Sequence, residues 1–164
     1  MAERRILVLC VGNSACGDDA AGRAVAQALG GNLPPGVELA ISDGEAAAVL
    51  DSLARVEVAL IVDACVSGAP AGHVHRFDVA QAPLPHGALR LSSHGLGLHE
   101  ALELARALKQ LPPACVVYAI EGEAFAAGTG LSKPVAQAVG RLAARLREDL
   151  ADRLALNATA SERR

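Results

Sequence analysis

Short apolar runs alternate along the chain with longer segments in which apolar residues recur every three to four positions. Three runs are continuous and end at polar or glycine residues: residues 6–11, 58–62 and 115–120. Runs of this kind are typical of strands buried on both faces of a parallel sheet. Residues 37–41 predict another short strand, and the alternation in residues 73–77 predicts a strand with one wet face.

The intervening segments predict helices at residues 20–29, 45–53 and about 98–108, and a last helix that begins after Ser132 as its N-cap. Residues 80–93 are rich in proline and glycine and predict a long loop, and the polar tail after about Asn157 is expected to fray. Strands that alternate with helices indicate one domain over residues 1–164. Its predicted fold class is α/β, a three-layer α/β/α sandwich with a mostly parallel sheet.

Composition and charge exclude several classes of function. The net charge is −3, no basic run precedes the last few residues, and aromatics make up 2% of the chain, so neither a nucleic-acid-binding patch nor a base-stacking platform is expected. No sufficiently long apolar stretch or export signal is apparent, so we expect no membrane span and a cytoplasmic location. Reduced thiols are then the default for the four cysteines, Cys10, Cys16, Cys65 and Cys115.

Acidic residues and one histidine lie where predicted strands end or helices begin. Asp18 and Asp19 follow the first strand, Asp43 follows the second, Asp63 ends the third, and His94 precedes a helix. Ligands of open α/β sheets bind beyond the carboxyl ends of the strands. Two carboxylates and an imidazole gathered there would form a three-ligand site with open positions, suited to nickel, zinc, cobalt or manganese.

Simpler roles compete for the same residues. Asp18 or Asp19 could cap the helix that follows or oppose its dipole. Cys16 could be a redox thiol or a soft ligand, although a small loop residue is the simpler interpretation. His73 and His75 share a strand face and could bind metal, although two exposed histidines are the simpler interpretation. No phosphate-binding P-loop and no Gly-x-Ser-x-Gly motif occurs in the sequence.

Five short motifs follow one another from about residue 5 to residue 150: Ile6-Leu-Val-Leu-Cys-Val-Gly-Asn13 with Gly17-Asp-Asp19, then Asp43-Gly44, Val62-Asp-Ala64, Ser92-Ser-His-Gly95 and Gly130-Leu-Ser132. Their order and spacing resemble those of the hydrogenase maturation endopeptidases, which process the large subunit of nickel-iron hydrogenases. The resemblance implies a twisted, mostly parallel sheet of roughly five strands, flanked by helices on both faces.

The resemblance also implies a site. Carried over position by position, the metal-binding and catalytic residues are Asp19, Asp63 and His94, and Asp43 and Gly44 would help to bind the substrate. The implied partner is a hydrogenase large-subunit precursor that presents nickel, and another divalent cation could occupy the site in vitro. The implied reaction is removal of a short C-terminal peptide after metal insertion, for which we favour attack by a metal-assisted water.

Two positions depart from the family pattern. Glu45-Ala46 follow Asp43-Gly44 where Gly-Thr is common, and Ala20 stands where glycine is frequent. The first departure bears on substrate choice and motivates an alternative, a non-proteolytic nickel chaperone on the same fold. A thiol-based redox protein that uses Cys16 is a third hypothesis, disfavoured because the chain has no Cys-x-x-Cys pair.

Overall fold

Residues 5–85, 87, 89–91 and 97–161 are described by a computed structural model. A sheet lies between two layers of helices. Its strands are β1 (Ile6–Val11), β2 (Val37–Ser42), β3 (Val58–Val66), β4 (Val74–Asp78), β5 (Arg90–Leu91) and β6 (Ala114–Glu121). The helices are α1 (Ala21–Leu29), α2 (Ala46–Leu53), α3 (Leu98–Ala107) and α4 (Lys133–Ser161), and a 3₁₀ turn at Gly17–Ala20 precedes α1.

The main strands lie in the order β2-β1-β3-β6-β4. The first four of these are parallel to one another, whereas β4 runs antiparallel to β6 at one edge. The two-residue strand β5 pairs antiparallel with the end of β3. The predicted α/β class and the mostly parallel sheet of five main strands are therefore confirmed.

Each face of the sheet has its own apolar core. Along β1 and β3, even-numbered side chains such as Val8 and Leu60 belong to the cluster that contains residues of α1 and α4. Odd-numbered side chains such as Leu9 and Ile61 belong to the cluster that contains residues of α2 and α3. Because helices cover both faces, the central strands have no polar face, which explains their continuous apolar runs.

The α1 helix lies directly against β1. A Cβ atom at Gly22 would collide with the backbone carbonyl oxygen of Val11, so no larger residue fits at that contact. The scarcity of aromatic residues is consistent with this arrangement, because small side chains let a helix approach a sheet closely. Tyr118 of β6 is the largest of the fully buried side chains in the described part of the chain.

One strand is longer than the sequence predicts by more than a residue, and one strand was not predicted. The β3 strand continues four residues past the predicted end, because its ladder with β6 extends through Asp63 to the pair Cys65 and Glu121. Asp63 therefore lies inside a strand and does not end it. The β5 strand lies within the segment that was predicted to be a loop, because its two residues pair with the extended end of β3.

The last helix is longer than its apolar stripe. Apolar residues from Val135 to Leu150 pack in the core, and α4 continues to Ser161. The polar segment after Asn157, which was expected to fray, is helical as far as Ser161. Neither α4 nor another helix within the described ranges is long and apolar enough to span a membrane.

Candidate functional site

The carboxyl ends of β1 and β3 lie side by side where the chain connections change faces. After β1 the chain enters α1 on one face, whereas the segment after β3 leads through β4 and β5 to α3 on the other face. Such switch points are the usual ligand sites of open α/β sheets. Asp19 follows β1 in the 3₁₀ turn, which contacts β3, and Asp63 lies in β3 one residue after the register pair Cys10 and Val62. Asp19 therefore follows β1 and Asp63 lies in the neighbouring strand β3, at the same carboxyl edge of the sheet.

Asp19 is buried, and one of its carboxylate oxygens lacks a partner among the described residues. Its side chain is 7% exposed, and Oδ1 makes no hydrogen bond within the described ranges. Its carbonyl oxygen accepts the N–H of Asn13 at 3.1 Å, and a Cβ at Gly12 would collide with that same oxygen. A buried carboxylate oxygen without a partner is costly, so it is a candidate contact for a bound cation.

Asp63 interrupts an otherwise apolar strand. The residue is fully buried, and its Oδ1 accepts the N–H of Ala64 at 2.8 Å. By strand alternation its side chain is on the same face as Ile61, the face covered by α2 and α3. An acid inside a central strand at the carboxyl edge is a functional candidate because burial of a charge needs compensation.

Asp18, next to Asp19, has a different role. Its Oδ2 accepts from the N–H groups of Glu123 and Ala124 at 2.9 and 3.0 Å and from the hydroxyl of Ser132 at 2.9 Å. Its Oδ1 accepts the N–H of Ser132 at 2.7 Å. Burial acts to raise the pKa of Asp18, but these hydrogen bonds outweigh it and hold the pKa below its ordinary value. Asp18 is a positioning residue that fixes the turn carrying Asp19.

The predicted substrate-binding pair lies between β2 and α2. Asp43 Oδ1 accepts the N–H of Glu45 at 3.1 Å, and Gly44 is buried. Glu45 caps α2, because its two carboxylate oxygens accept the N–H groups of Ala47 and Ala48, each at 3.1 Å. The departure from the family pattern therefore places a negative charge at the start of α2, where the helix dipole favours it. His94, the third predicted ligand, lies outside the described residues.

A second group of reactive side chains joins β3, β4 and β6. His75, expected to be exposed, has its Nε2 atom 3.1 Å from Oε2 of Glu121, and its side chain is only 20% exposed. The expectation of two exposed histidines holds for His73 and was wrong for His75, because an alternating strand at a sheet edge can still place one side chain against a buried acid. Glu121 was not among the predicted site residues, although it directly follows a buried apolar run, as Asp63 does.

The cysteines are mostly buried, as predicted. Cys10, Cys65 and Cys115 are fully buried, and burial raises the pKa of Cys10 and of Cys115 to about 12. The pKa of Cys65 is also raised, by burial first and by the neighbouring Glu121 second. Cys16, in the loop before Asp19, is partly exposed.

The chain matches one protein-family model and several solved structures. The model of the hydrogenase maturation protease family, HycI, matches residues 31–148. The crystal structure of a NiFe hydrogenase maturation protease HycI from Thermococcus kodakarensis covers 89% of this chain and 92% of its own, with 24% identity and a TM-score of 0.69.

Two further structures are similar over most of their length. The hydrogenase maturating endopeptidase HybD from Escherichia coli is 27% identical, with 88% of this chain and 93% of that chain covered and a TM-score of 0.70. The solution structure of the endopeptidase HycI from Escherichia coli is 22% identical, with 88% and 90% covered and a TM-score of 0.65. No curated protein sequence matches the chain.

Proposed function

The chain belongs to the hydrogenase maturation protease family, and we propose that it removes the C-terminal peptide of a nickel-iron hydrogenase large-subunit precursor after nickel insertion. In this proposal Asp19, Asp63 and His94 contact the nickel that the precursor presents. The observation that carries the proposal is Oδ1 of the buried Asp19, which has no partner among the described residues and lies at the sheet edge towards which β3, with Asp63, also runs.

The donor set suits a cation that arrives with its substrate. Two carboxylates and an imidazole supply oxygen and nitrogen donors, and three protein ligands leave further positions open. Such a site would hold nickel best when the precursor supplies the remaining ligands. Binding of the precursor would then depend on its nickel, which would make metal loading a condition for cleavage.

The chemistry would be hydrolysis of one peptide bond. Nickel bound at this edge would polarise the scissile carbonyl or lower the pKa of a water. The water oxygen adds to the carbonyl carbon, the C–N bond breaks, and the new amine takes a proton. Asp18 holds the turn of Asp19 in place through its four hydrogen bonds, and Asp43 and Gly44 beside β1 would contact the peptide.

Glu45 bears on the choice of substrate. Its carboxylate lies at the start of α2, beside the candidate substrate-binding pair Asp43 and Gly44. A negative charge at that place would disfavour an acidic precursor segment through repulsion. We therefore propose that the precursor segment that passes α2 is neutral or basic.

The test compares two forms of the precursor. Incubation with nickel-loaded precursor should shorten it by the mass of a C-terminal peptide, and nickel-free precursor should stay intact. Asp63→Asn should abolish the shortening, whereas Asp51→Asn, an exposed acid of α2, should leave it unchanged. Binding of the loaded precursor without any loss of mass would reject the protease proposal for this precursor in favour of the nickel-chaperone alternative.

A further inference from the structure

Three side chains from three strands converge on the face covered by α2 and α3. Cys65 of β3 and Glu121 of β6 are register partners, and His75 of β4 pairs with Ala119, two residues before Glu121. One ligand atom from each of Cys65, His75 and Glu121 lies within 4.8 Å of the other two. We propose that these three residues form a binding site for a zinc-class divalent cation, distinct from the site of Asp19, Asp63 and His94.

The distances suit a shared cation. Oε2 of Glu121 lies 3.1 Å from Nε2 of His75 and 3.4 Å from Sγ of Cys65. Two ligand atoms bound tetrahedrally to one Zn²⁺ at about 2.0–2.3 Å lie roughly 3.3–3.6 Å apart. Shifts on the order of an ångström or less, within the reach of side-chain rotation, would therefore bring all three atoms onto one ion.

The carboxylate is already oriented for this role. Its other oxygen, Oε1, accepts the N–H groups of Ser67 and Gly68 at 2.7 and 3.1 Å, which leaves Oε2 directed at the other two ligands. The hydroxyl of Ser67 donates to Oε2 at 2.8 Å. Burial acts to raise the pKa of Glu121, but its hydrogen bonds outweigh that effect and lower the pKa to about 2. Outer hydrogen bonds of this type hold metal ligands in place.

Charge and donor type select the class of cation. On binding, the thiol proton of Cys65 leaves to solvent, and the thiolate sulfur bonds to the ion. His75 binds through its Nε2 lone pair with its proton on Nδ1, and no electron is transferred. The ion's two positive charges balance the thiolate and the Glu121 carboxylate. Sulfur, nitrogen and oxygen donors together suit Zn²⁺ and disfavour Mg²⁺ and Ca²⁺, which prefer oxygen.

The position separates this site from the proposed catalytic one. Cys65 lies two residues beyond Asp63 on the same strand and face, which is roughly 7 Å along the strand. The two sites share no ligand. A cation held here would connect β3, β6 and the edge strand β4, so its binding should stabilise the fold.

The experiment uses Co²⁺, a spectroscopic substitute for Zn²⁺, added to the metal-free protein. Cobalt bound to a thiolate absorbs in the near ultraviolet, and carboxylates and imidazole alone do not produce that band. We expect the band to saturate at one equivalent, to disappear in Cys65→Ser, and to require at least about tenfold more Co²⁺ in His75→Gln.

Two variants separate this site from its surroundings. Cys16→Ser removes the partly exposed thiol before Asp19 and should leave the band unchanged. Asp19→Asn should also leave it unchanged, so failure of the proposed peptidase function and failure of this site are distinguishable. Absence of the band in the wild type, or its persistence in Cys65→Ser, would overturn the proposal. Loss of the band in Cys16→Ser alone would overturn it as well, because the cation would then lie in the loop before Asp19.

Thermal unfolding gives a second measurement that does not depend on the folding of Cys65→Ser. Zn²⁺ at a hundredfold excess over its Kd should raise the Tm of the wild type by about 5–10 °C. His75→Gln, with at least about tenfold weaker binding, should show about half of that shift or less. An unchanged wild-type Tm would mean that Cys65, His75 and Glu121 are only a hydrogen-bonded cluster, and the proposal would be rejected.

Discussion

Asp18 and Asp19 are adjacent in the chain and both buried, yet their surroundings are opposite. The carboxylate of Asp18 accepts four hydrogen bonds from the segment between β6 and α4. Oδ1 of Asp19 has none within the described part of the chain. Burial alone therefore does not distinguish a structural acid from a functional one. In this pair the hydrogen bonds do, because both carboxylate oxygens of Asp18 accept from backbone or hydroxyl donors, whereas Oδ1 of Asp19 is left for a cation.

The largest effect should come from Asp19. Asp19→Asn removes the charge without changing the shape, and we expect cleavage of nickel-loaded precursor to fall by at least about 100-fold. The Tm should stay equal or rise, because the substitution removes a buried charge whose Oδ1 has no partner in the described part of the chain. Cleavage rates by mass spectrometry and a melting curve check both parts. Full activity in Asp19→Asn would show that Asp19 is not part of the site and that its difference from Asp18 has no functional meaning.

For Asp18 we expect the opposite effect on stability. Asp18→Asn replaces one accepting oxygen with an NH₂ group, which then faces backbone or hydroxyl donors, so the free energy of unfolding should drop by about 2–4 kcal/mol. Urea unfolding measures the loss. The surface control Asp51→Asn should change stability by less than about 0.5 kcal/mol. An equally small change in Asp18→Asn would show that its hydrogen bonds are not what holds the turn.

Acid should reduce the stabilisation that Asp18 and Glu121 provide, because both carboxylates accept several hydrogen bonds. The pKa of Asp18 is lowered, and that of Glu121 is lowered from 4.5 to about 2, so the folded chain resists protonation of both. Their stabilisation is complete above the unfolded pKa values and is lost as the pH falls from about 4.5 towards about 2. Urea midpoints across that range should fall steeply in the wild type and less steeply in Glu121→Gln. Equal slopes would show that Glu121 is not responsible.

The smallest effect is expected for Glu45. This exposed acid accepts two hydrogen bonds, fewer than Asp18 does and more than Oδ1 of Asp19 does in the described part of the chain. Glu45→Ala removes the cap of α2 and should cost about 1 kcal/mol of stability. Glu45→Gln keeps an accepting oxygen and should lose less. Thermal unfolding of the pair gives the comparison, and a larger loss in Glu45→Gln than in Glu45→Ala would contradict the capping role.

The central strands could be predicted because burial on both faces leaves a continuous apolar run. The carboxyl ends of the predicted strands made Asp18, Asp19, Asp43 and Asp63 candidates, and the resemblance to the family reduced the acids of the predicted metal site to Asp19 and Asp63. The difference in hydrogen bonding between Asp18 and Asp19 could not be predicted, since the four donors to Asp18 lie 105–114 residues further along the chain. Nothing local in the sequence indicates which of two neighbouring acids those donors would reach.

The grouping of Cys65, His75 and Glu121 depends on strand order. Those residues meet only because β6 lies between β3 and the antiparallel β4, and periodicity predicts strands without their order in the sheet. The continuation of β3 past Asp63 was missed for a related reason. In the sequence, an acid inside a strand looks the same as an acid that ends one. The two cases can be separated only when the neighbouring strand that continues the ladder is known.

The long separation between Asp18 and its donors also has a consequence for timing. Loops that close over about a hundred residues are entropically costly and form late, after the segments between them have folded. During synthesis, the turn that carries Asp19 would therefore reach its final geometry only once the segment that leads into α4 has emerged. A chain that ends before Glu123 would lack all four hydrogen bonds that hold this turn in place.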